Sequence, residues 1–240
     1  MPSSPLEVSA RAQERLAVFL AMIAGYVDAY GFISYRTYVS FMSGNTTQIG
    51  SLIGQRNLAA AMPALVAIVF FLIGVFTGTF LIHSGVRQPR RLLFGLVATL
   101  LAVSIRGTQL GSSPSGDGIA TLSLAMGFLN TALSRVGAQS VNLVFVTGTL
   151  NTMAQQLALA VKSTRVPDTQ GSWDTHSHRA FLLMGVWASF LTGALLAGLA
   201  TSCFGVWALL LPVLMLLTLA VFSRAQTFPY THVVSPYWEK

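Results

Sequence analysis

Gly25-Tyr26-Val27-Asp28-Ala29 returns 102 residues later as Gly127-Phe128-Leu129-Asn130-Thr131. Three further blocks recur in the same order. Phe41-Met42-Ser43-Gly44-Asn45 pairs with Phe145-Val146-Thr147-Gly148-Thr149 at an offset of 104, and Phe71-Leu72-Ile73-Gly74 with Phe190-Leu191-Thr192-Gly193 at 119. Phe94-Gly95-Leu96-Val97 pairs with Phe204-Gly205-Val206-Trp207 at 110. The offset grows where the second half carries a polar loop after Val161, and shrinks where the first half carries one around Arg87. A duplicated apolar chain with polar residues at matched positions is the usual build of a secondary transporter. The order of the blocks predicts two similar helical units.

Composition sets the class. The chain has 240 residues, 53% hydrophobic and 9% charged, with mean hydropathy +0.66; soluble domains carry roughly 25% charged residues. This is the composition of an all-α integral membrane protein. The formal charge of +7 does not point to nucleic acid, because the basic residues flank apolar segments, as orientation signals do. Cys203 stands alone, so no intrachain disulfide forms. Arg11 and Arg15 ahead of an apolar run resemble a signal peptide, but no cleavage site follows and the run carries Asp28, which reads as an uncleaved first span.

Crossing the hydrocarbon core takes about 20 apolar residues. Six stretches qualify: Leu16–Ile33, Ala60–Ile82, Leu92–Ile105, Ile119–Leu133, Phe181–Thr201 and Phe204–Phe222. Tyr38–Gly54 and Val141–Val161 are too polar for hydropathy to decide. If neither crosses there are six spans, three per repeat, and the halves are inverted; if both cross there are eight, and the halves are parallel. With six spans and a cytoplasmic N-terminus, 11 of the 14 basic residues fall inside, leaving Arg36, Arg56 and Arg106 outside. Eight spans divide them less well, so the positive-inside rule favours six spans, both termini cytoplasmic, and two re-entrant or broken segments. The chain then divides into a polar tail over 1–15, a membrane repeat over 16–106, a turn-rich linker over 107–118 and a second repeat over 119–222. That repeat carries a polar insertion at 163–178, and 223–240 form a C-terminal tail.

Asp28 is the one acidic residue of seven inside an apolar span. A carboxylate at that depth costs about 2.5–3.5 kcal/mol on insertion scales, so it faces the protein interior and marks function by default. It is a candidate sodium ligand or proton carrier. The bland alternative is a buried ion pair with Arg36, eight residues on and on the same face if the helix continues. Asn130 at the matching place hydrogen-bonds but does not titrate. Ser43, Gly44, Asn45 and Thr46 form the second candidate group, with Thr147, Gly148 and Asn151 as counterpart. Glycine among hydroxyl and amide residues breaks helices and caps their N-termini, which predicts interruptions at or near Gly44 and Gly148. Broken helices in a bilayer survive only inside protein or along a wet cavity, and their free N–H groups suit an anion or carboxylate. Close packing of small residues is the competing reading.

Other patterns read plainly. Gly74 and Gly78, and Ser189, Gly193 and Ala197, have the four-residue spacing of close helix packing. No histidine lies inside a span, His176-Ser177-His178 is too little for a metal site, and no P-loop or membrane Ser/His pair is present. The sequence therefore indicates no metal, no cofactor and no enzyme.

Ala24-Gly25-Tyr26-Val27-Asp28-Ala29, followed by Phe41-Met42-Ser43-Gly44-Asn45, resembles the YoaK-like family of bacterial polytopic membrane proteins, a domain of unknown function. That family's pattern is a glycine–x–x–aspartate–alanine step, then phenylalanine–x–threonine–glycine–asparagine, with a later threonine–glycine step, here Thr147-Gly148. Ser43 stands in place of the threonine and keeps the hydroxyl. The resemblance runs from about Leu16 to Phe222 and implies a bacterial inner-membrane protein; it implies no substrate. Two functions remain: a small-solute transporter coupled to protons or sodium through Asp28, or a non-transporting scaffold, assembly factor or receptor whose polar residues are structural. The expected partners are the lipid bilayer and a small molecule or ion, and a homo-oligomer is compatible with the sequence. A transporter is expected to line a mid-depth cavity with Asp28, Asn45, Asn130 and Thr147.

Overall fold

The computed structural model describes residues 5–109, 116–132, 135–136, 139–140, 146–166, 169, 171 and 173–222. Half of the linker, both tail ends and the middle of the polar insertion lie outside these residues, as do the side chains of Gln139 and Asn142. The described chain is helical: α1 (Pro5–Tyr35), α2 (Met42–Gly54), α3 (Leu58–His83), α4 (Pro89–Gln109), α5 (Gly116–Ala132), α6 (Val146–Val161), α7 (His176–Phe204) and α8 (Leu210–Phe222), with a 3₁₀ turn at Gly205–Leu209. Two short strands, β1 (Arg135–Val136) and β2 (Gln139–Ser140), pair as an antiparallel hairpin that the sequence reading did not foresee. The first helix starts at Pro5, inside the stretch read as a polar tail. Among the described residues, three helical stretches are long and apolar enough to cross a bilayer: Ala10–Tyr35, Leu58–His83, and His176–Phe222 running through the 3₁₀ turn.

Two close crossings organise the bundle. α1 packs chiefly on α7, and α3 on α5. A Cβ added at Gly25 would strike the Phe190 carbonyl, and one at Gly193 the Met22 carbonyl. At the other crossing, a Cβ at Gly127 would strike the Phe71 carbonyl, and one at Gly74 the Leu124 carbonyl. Glycine lets two backbones touch here, as the small-residue spacing predicts. Further along, Gly78 faces Thr131 and Phe128, so α3 and α5 run in the same direction. Val18 faces Gly185, and Glu14 meets His178, so α1 and α7 also run in the same direction. The Tyr35 hydroxyl lies against Gly118, which sets the end of α1 beside the start of α5 and makes these two antiparallel. Behind them α4 packs on α5 and α8, and α2 and α6 lie along α3 and α7. The core is filled by Leu20, Ile23, Leu93, Phe94, Leu101, Leu122, Met126, Leu129 and Leu209.

The outer surface of α3, α7 and α8 is apolar. Phe76, Phe80, Leu195, Leu199, Leu214 and Phe222 are all exposed. For helices of this composition that is a lipid-facing surface, since an aqueous surface does not carry continuous apolar patches of this extent.

Candidate functional site

The site begins where α1 stops. Arg36 takes a left-handed conformation (φ 56°) and its N–H returns to the Phe32 carbonyl at 3.0 Å, capping the helix. The chain then doubles back along α1. The Val39 side chain lies against Gly31, where a Cβ would come within 2.7 Å, and the chain continues to the level of Asp28. There it reverses again into α2.

Asp28 holds this reversal. Its Oδ1 accepts the N–H of Val39 at 3.1 Å and that of Ser40 at 2.8 Å, and the residue is only 6% exposed. The Ser40 hydroxyl lies against the same carboxyl without a well-aligned hydrogen bond to any group. Asn45, fully buried in the first turn of α2, grips the connection from the other side: its Nδ2 donates to the Tyr38 carbonyl at 2.7 Å. Its Oδ1 is buried without a partner. Tyr38 stacks on Phe32 and meets Phe41 edge-on, giving the non-helical stretch an aromatic cover. Buried backbone that leaves a helix must find other partners, and these two polar side chains supply them.

The remaining predicted residues fall in two places. Gly44 and Gly148 lie in the first turns of α2 and α6, and the helix break on the α2 side falls at residues 36–41, ahead of Gly44. Gly44 makes room for the Phe41 ring instead of interrupting the helix. Ser43, Thr46, Thr147 and Asn151 are on exposed faces of α2 and α6, and Thr46 returns its hydroxyl to the Met42 carbonyl at 2.8 Å. No hydrogen bond among the described residues joins Ser43–Thr47 to Thr147, Gly148 or Asn151. Asn130 is half-buried on α5, with its Oδ1 enclosed and unpartnered. The structure thus joins Asp28 and Asn45 through one loop and leaves Thr147 on an exposed face.

Arg36 does not partner Asp28. It is exposed, beyond the end of α1, and Asp28 takes its hydrogen bonds from backbone. The alternative eight-residue pairing needed a helix that continued, and α1 ends at Tyr35.

Sequence reasoning missed Tyr38, Val39 and Ser40, whose part in the site is played mainly by backbone atoms. It also missed a polar cluster at the start of α7. There Glu14 meets His178 at 2.9 Å, Arg179 binds Asp174 through two 2.7 Å contacts, and His176 pairs with Gln156 of α6 at 2.7 Å. The only signal for it was the concentration of polar residues in the insertion.

The sequence pattern described as protein of unknown function (DUF1275) matches residues 16–222. This chain belongs to that family. The match to DUF1275 takes in both crossings and the whole Asp28–Asn45 clamp. A relative from Rhizobium meliloti (strain 1021), the UPF0700 transmembrane protein RA0705, is 29% identical over 153 residues, covering 62% of this chain and 65% of its own length. The chain thus aligns with a little under two thirds of that relative. No solved structure matches. The family and the apolar helices together make this DUF1275 protein a membrane protein.

Proposed function

We propose that this chain is a secondary transporter of a small solute in the bacterial inner membrane, with ion coupling through Asp28. The carrying observation is a buried carboxylate that holds a non-helical reversal between two helices through two backbone N–H groups, with Arg36 exposed beyond the end of α1. Ionisable groups inside spans and broken helices at that depth are the common parts of transport sites. The reading involves no enzymatic step, metal, cofactor or nucleic acid. Its partners are the bilayer, the solute or ion, and potentially further copies of the chain.

An inverted duplication with six spans underlies the proposal. Gly25 matches Gly127 in sequence, and Phe190 matches Phe71; the two crossings use these matched residues in exchanged roles. Met22 and Leu124 stand three residues before the two matched glycines and make matched contacts with Gly193 and Gly74. The α1–α7 pair runs opposite to the α3–α5 pair, which supports inversion. At 13 residues α2 is about 20 Å long, shorter than the ~30 Å hydrocarbon core, which supports a re-entrant segment, whereas α8, of the same length, is extended to about 30 Å by the 3₁₀ turn at Gly205–Leu209 that runs into it. In this reading α1, α3, α4, α5, α7 and α8 cross, and both termini are cytoplasmic.

A scaffold or receptor is the second reading. It is favoured by the way Asp28 and Asn45 brace backbone and Thr46 and Thr47 bond within α2. Solute uptake screening in cells, followed by flux into proteoliposomes, separates the two. The transporter reading expects gradient-driven flux in wild type and loss of coupling in Asp28→Asn at unchanged protein level. Normal flux in Asp28→Asn removes Asp28 from the mechanism, and a broad screen without flux favours the scaffold.

A further inference from the structure

We infer that α6 is a flap that opens from α7 at its C-terminal end, and that His176 is its latch. For its purpose this rests on the transport reading above, in which α6 is the moving element on the N-terminal side of the bundle.

α6 is held differently from α2, its counterpart in the first half. Each helix has one buried residue, Asn45 in α2 and Thr149 in α6, at the matching offset of 104. α2 packs on α3, and α6 on α7. α2 is pinned at both ends: Asp28 and Asn45 fix its entry, and Gln55, Arg56 and Asn57 alone separate it from α3. A helix tied by so short a turn moves with its neighbour. After α6 the chain runs through 14 residues before α7 begins, a reach on the order of 45 Å when extended. The offset between the halves rises from 104 to 119 over this connection, so the second half has lengthened the link that would otherwise tie α6 to α7.

A side-chain latch stands in for the short turn. His176, the first residue of α7, is 5% exposed, and its Nδ1 meets the Gln156 side chain at 2.7 Å. Its Nε2 lies 3.4 Å from the Thr164 hydroxyl. Thr164 closes the end of α6, its N–H and its hydroxyl both donating to the Leu159 carbonyl, at 3.2 and 2.9 Å. One imidazole therefore grips the last turns of α6 together with their cap. The platform beneath it is fixed. The Thr175 hydroxyl oxygen accepts the His178 N–H and caps α7, Arg179 binds Asp174, and His178 ties this end of α7 to Glu14 of α1. α6 is the freer partner: one face, marked by Thr149, Met153 and Gln156, is turned to α7, while Asn151 and Gln155 opposite are exposed. A helix with one packed face and little buried surface belongs to the low-stability end of a fold and opens locally. Gln156 matches Leu52 of α2, so the first half makes no such latch at that position.

The test is hydrogen–deuterium exchange of the full-length protein in lipid nanodiscs. In wild type the amides of α6 are expected to exchange together, and faster than those of α2 and α7. His176→Ala is expected to speed α6 about fivefold or more, the equivalent of one lost hydrogen bond, and to leave α1 and the body of α7 unchanged. Should His176→Ala fail to fold, Gln156→Leu, which places there the residue that α2 has at the matching position, carries the same expectation. Equal acceleration of α1, α6 and α7 would make the cluster purely structural, and unchanged exchange in α6 would remove the latch; either overturns the inference. In a Cys203→Ser background, Gln156→Cys and His176→Cys joined by a cleavable bismaleimide are expected to slow α6 exchange and to stop solute flux until the linker is cut. Flux that persists with the linker in place overturns α6 as the moving element. An α6 that opens alone in a protein that moves no solute supports the flap and removes the transporter, so the two readings fail separately.

Discussion

Substitution can separate the observed role of Asp28 from the proposed one, because hydrogen bonding to the reversal needs an acceptor and the proposed coupling needs a titrating group. Asp28→Ala leaves the Val39 and Ser40 N–H groups buried without a partner. Each orphaned donor costs about 1–3 kcal/mol, so a loss of several kcal/mol is expected, seen as a lower melting temperature in detergent. Asp28→Asn keeps an oxygen for both N–H groups and is expected to melt within a few degrees of wild type. Equal damage from the two variants would make the charge itself structural. Asn45→Ala is expected to cost less, on the order of 1 kcal/mol, because it removes one hydrogen bond to the Tyr38 carbonyl. Both residues were legible in the sequence as polar side chains near apolar runs. Their partners were not. Asp28 bonds to backbone 11 and 12 residues away across a reversal, and backbone atoms leave no mark in a sequence.

At the scale of elements, the glycines fall into two kinds that the sequence does not separate. Gly25, Gly74, Gly127 and Gly193 face a partner backbone that has no room to yield. Gly50 and Gly54 on α2 have open space around an added Cβ. Gly25→Ala and Gly127→Ala are therefore each expected to destabilise by about 1–3 kcal/mol or more through overpacking, and by similar amounts, since they serve matching crossings. Gly50→Ala and Gly54→Ala are expected to be neutral or to stabilise, gaining up to about 1 kcal/mol of helix propensity. Thermal melts of the four variants check the contrast; a tolerated Gly25→Ala would count against the backbone contact. The small-residue spacing of α3 and α7 was enough to predict close packing. It could not say that each partner comes from the other half of the chain, because a spacing names one face and not its mate. The polar cluster at the start of α7 follows its own rule. Arg179→Met removes both 2.7 Å contacts to the buried Asp174 carboxylate and is expected to cost about 3–5 kcal/mol. Glu14→Gln should cost 1 kcal/mol or less, because His178 is partly exposed and screened.

At the scale of the molecule, helix directions and basic residues make one joint prediction about sidedness. α1 and α5 are antiparallel, and α3 runs with α5, so α3 starts at the end of the bundle where α1 finishes. The connection between α2 and α3, which carries Arg56, then lies opposite the N-terminus, and the connection carrying Arg87 lies on the N-terminal side. Six spans extend the pattern: Arg106 joins Arg56, and Lys162 joins Arg87. Eight spans would exchange Arg56 and Arg87, because α2 would cross on its own. The lone cysteine makes this measurable. In a Cys203→Ser background, Arg56→Cys, Arg87→Cys, Arg106→Cys and Lys162→Cys are introduced one at a time in whole cells and tested with a membrane-impermeant maleimide. Labelling from outside is expected at 56 and 106, and at 87 and 162 only after the membrane is opened. Protection at 56 with labelling at 87 and 162 in intact cells would turn the six-span arrangement over, whereas protection at 56 and 162 with labelling at 87 would reject it in favour of eight spans. Either result would leave the two glycine crossings in place, since those belong to the fold whichever way it sits in the bilayer.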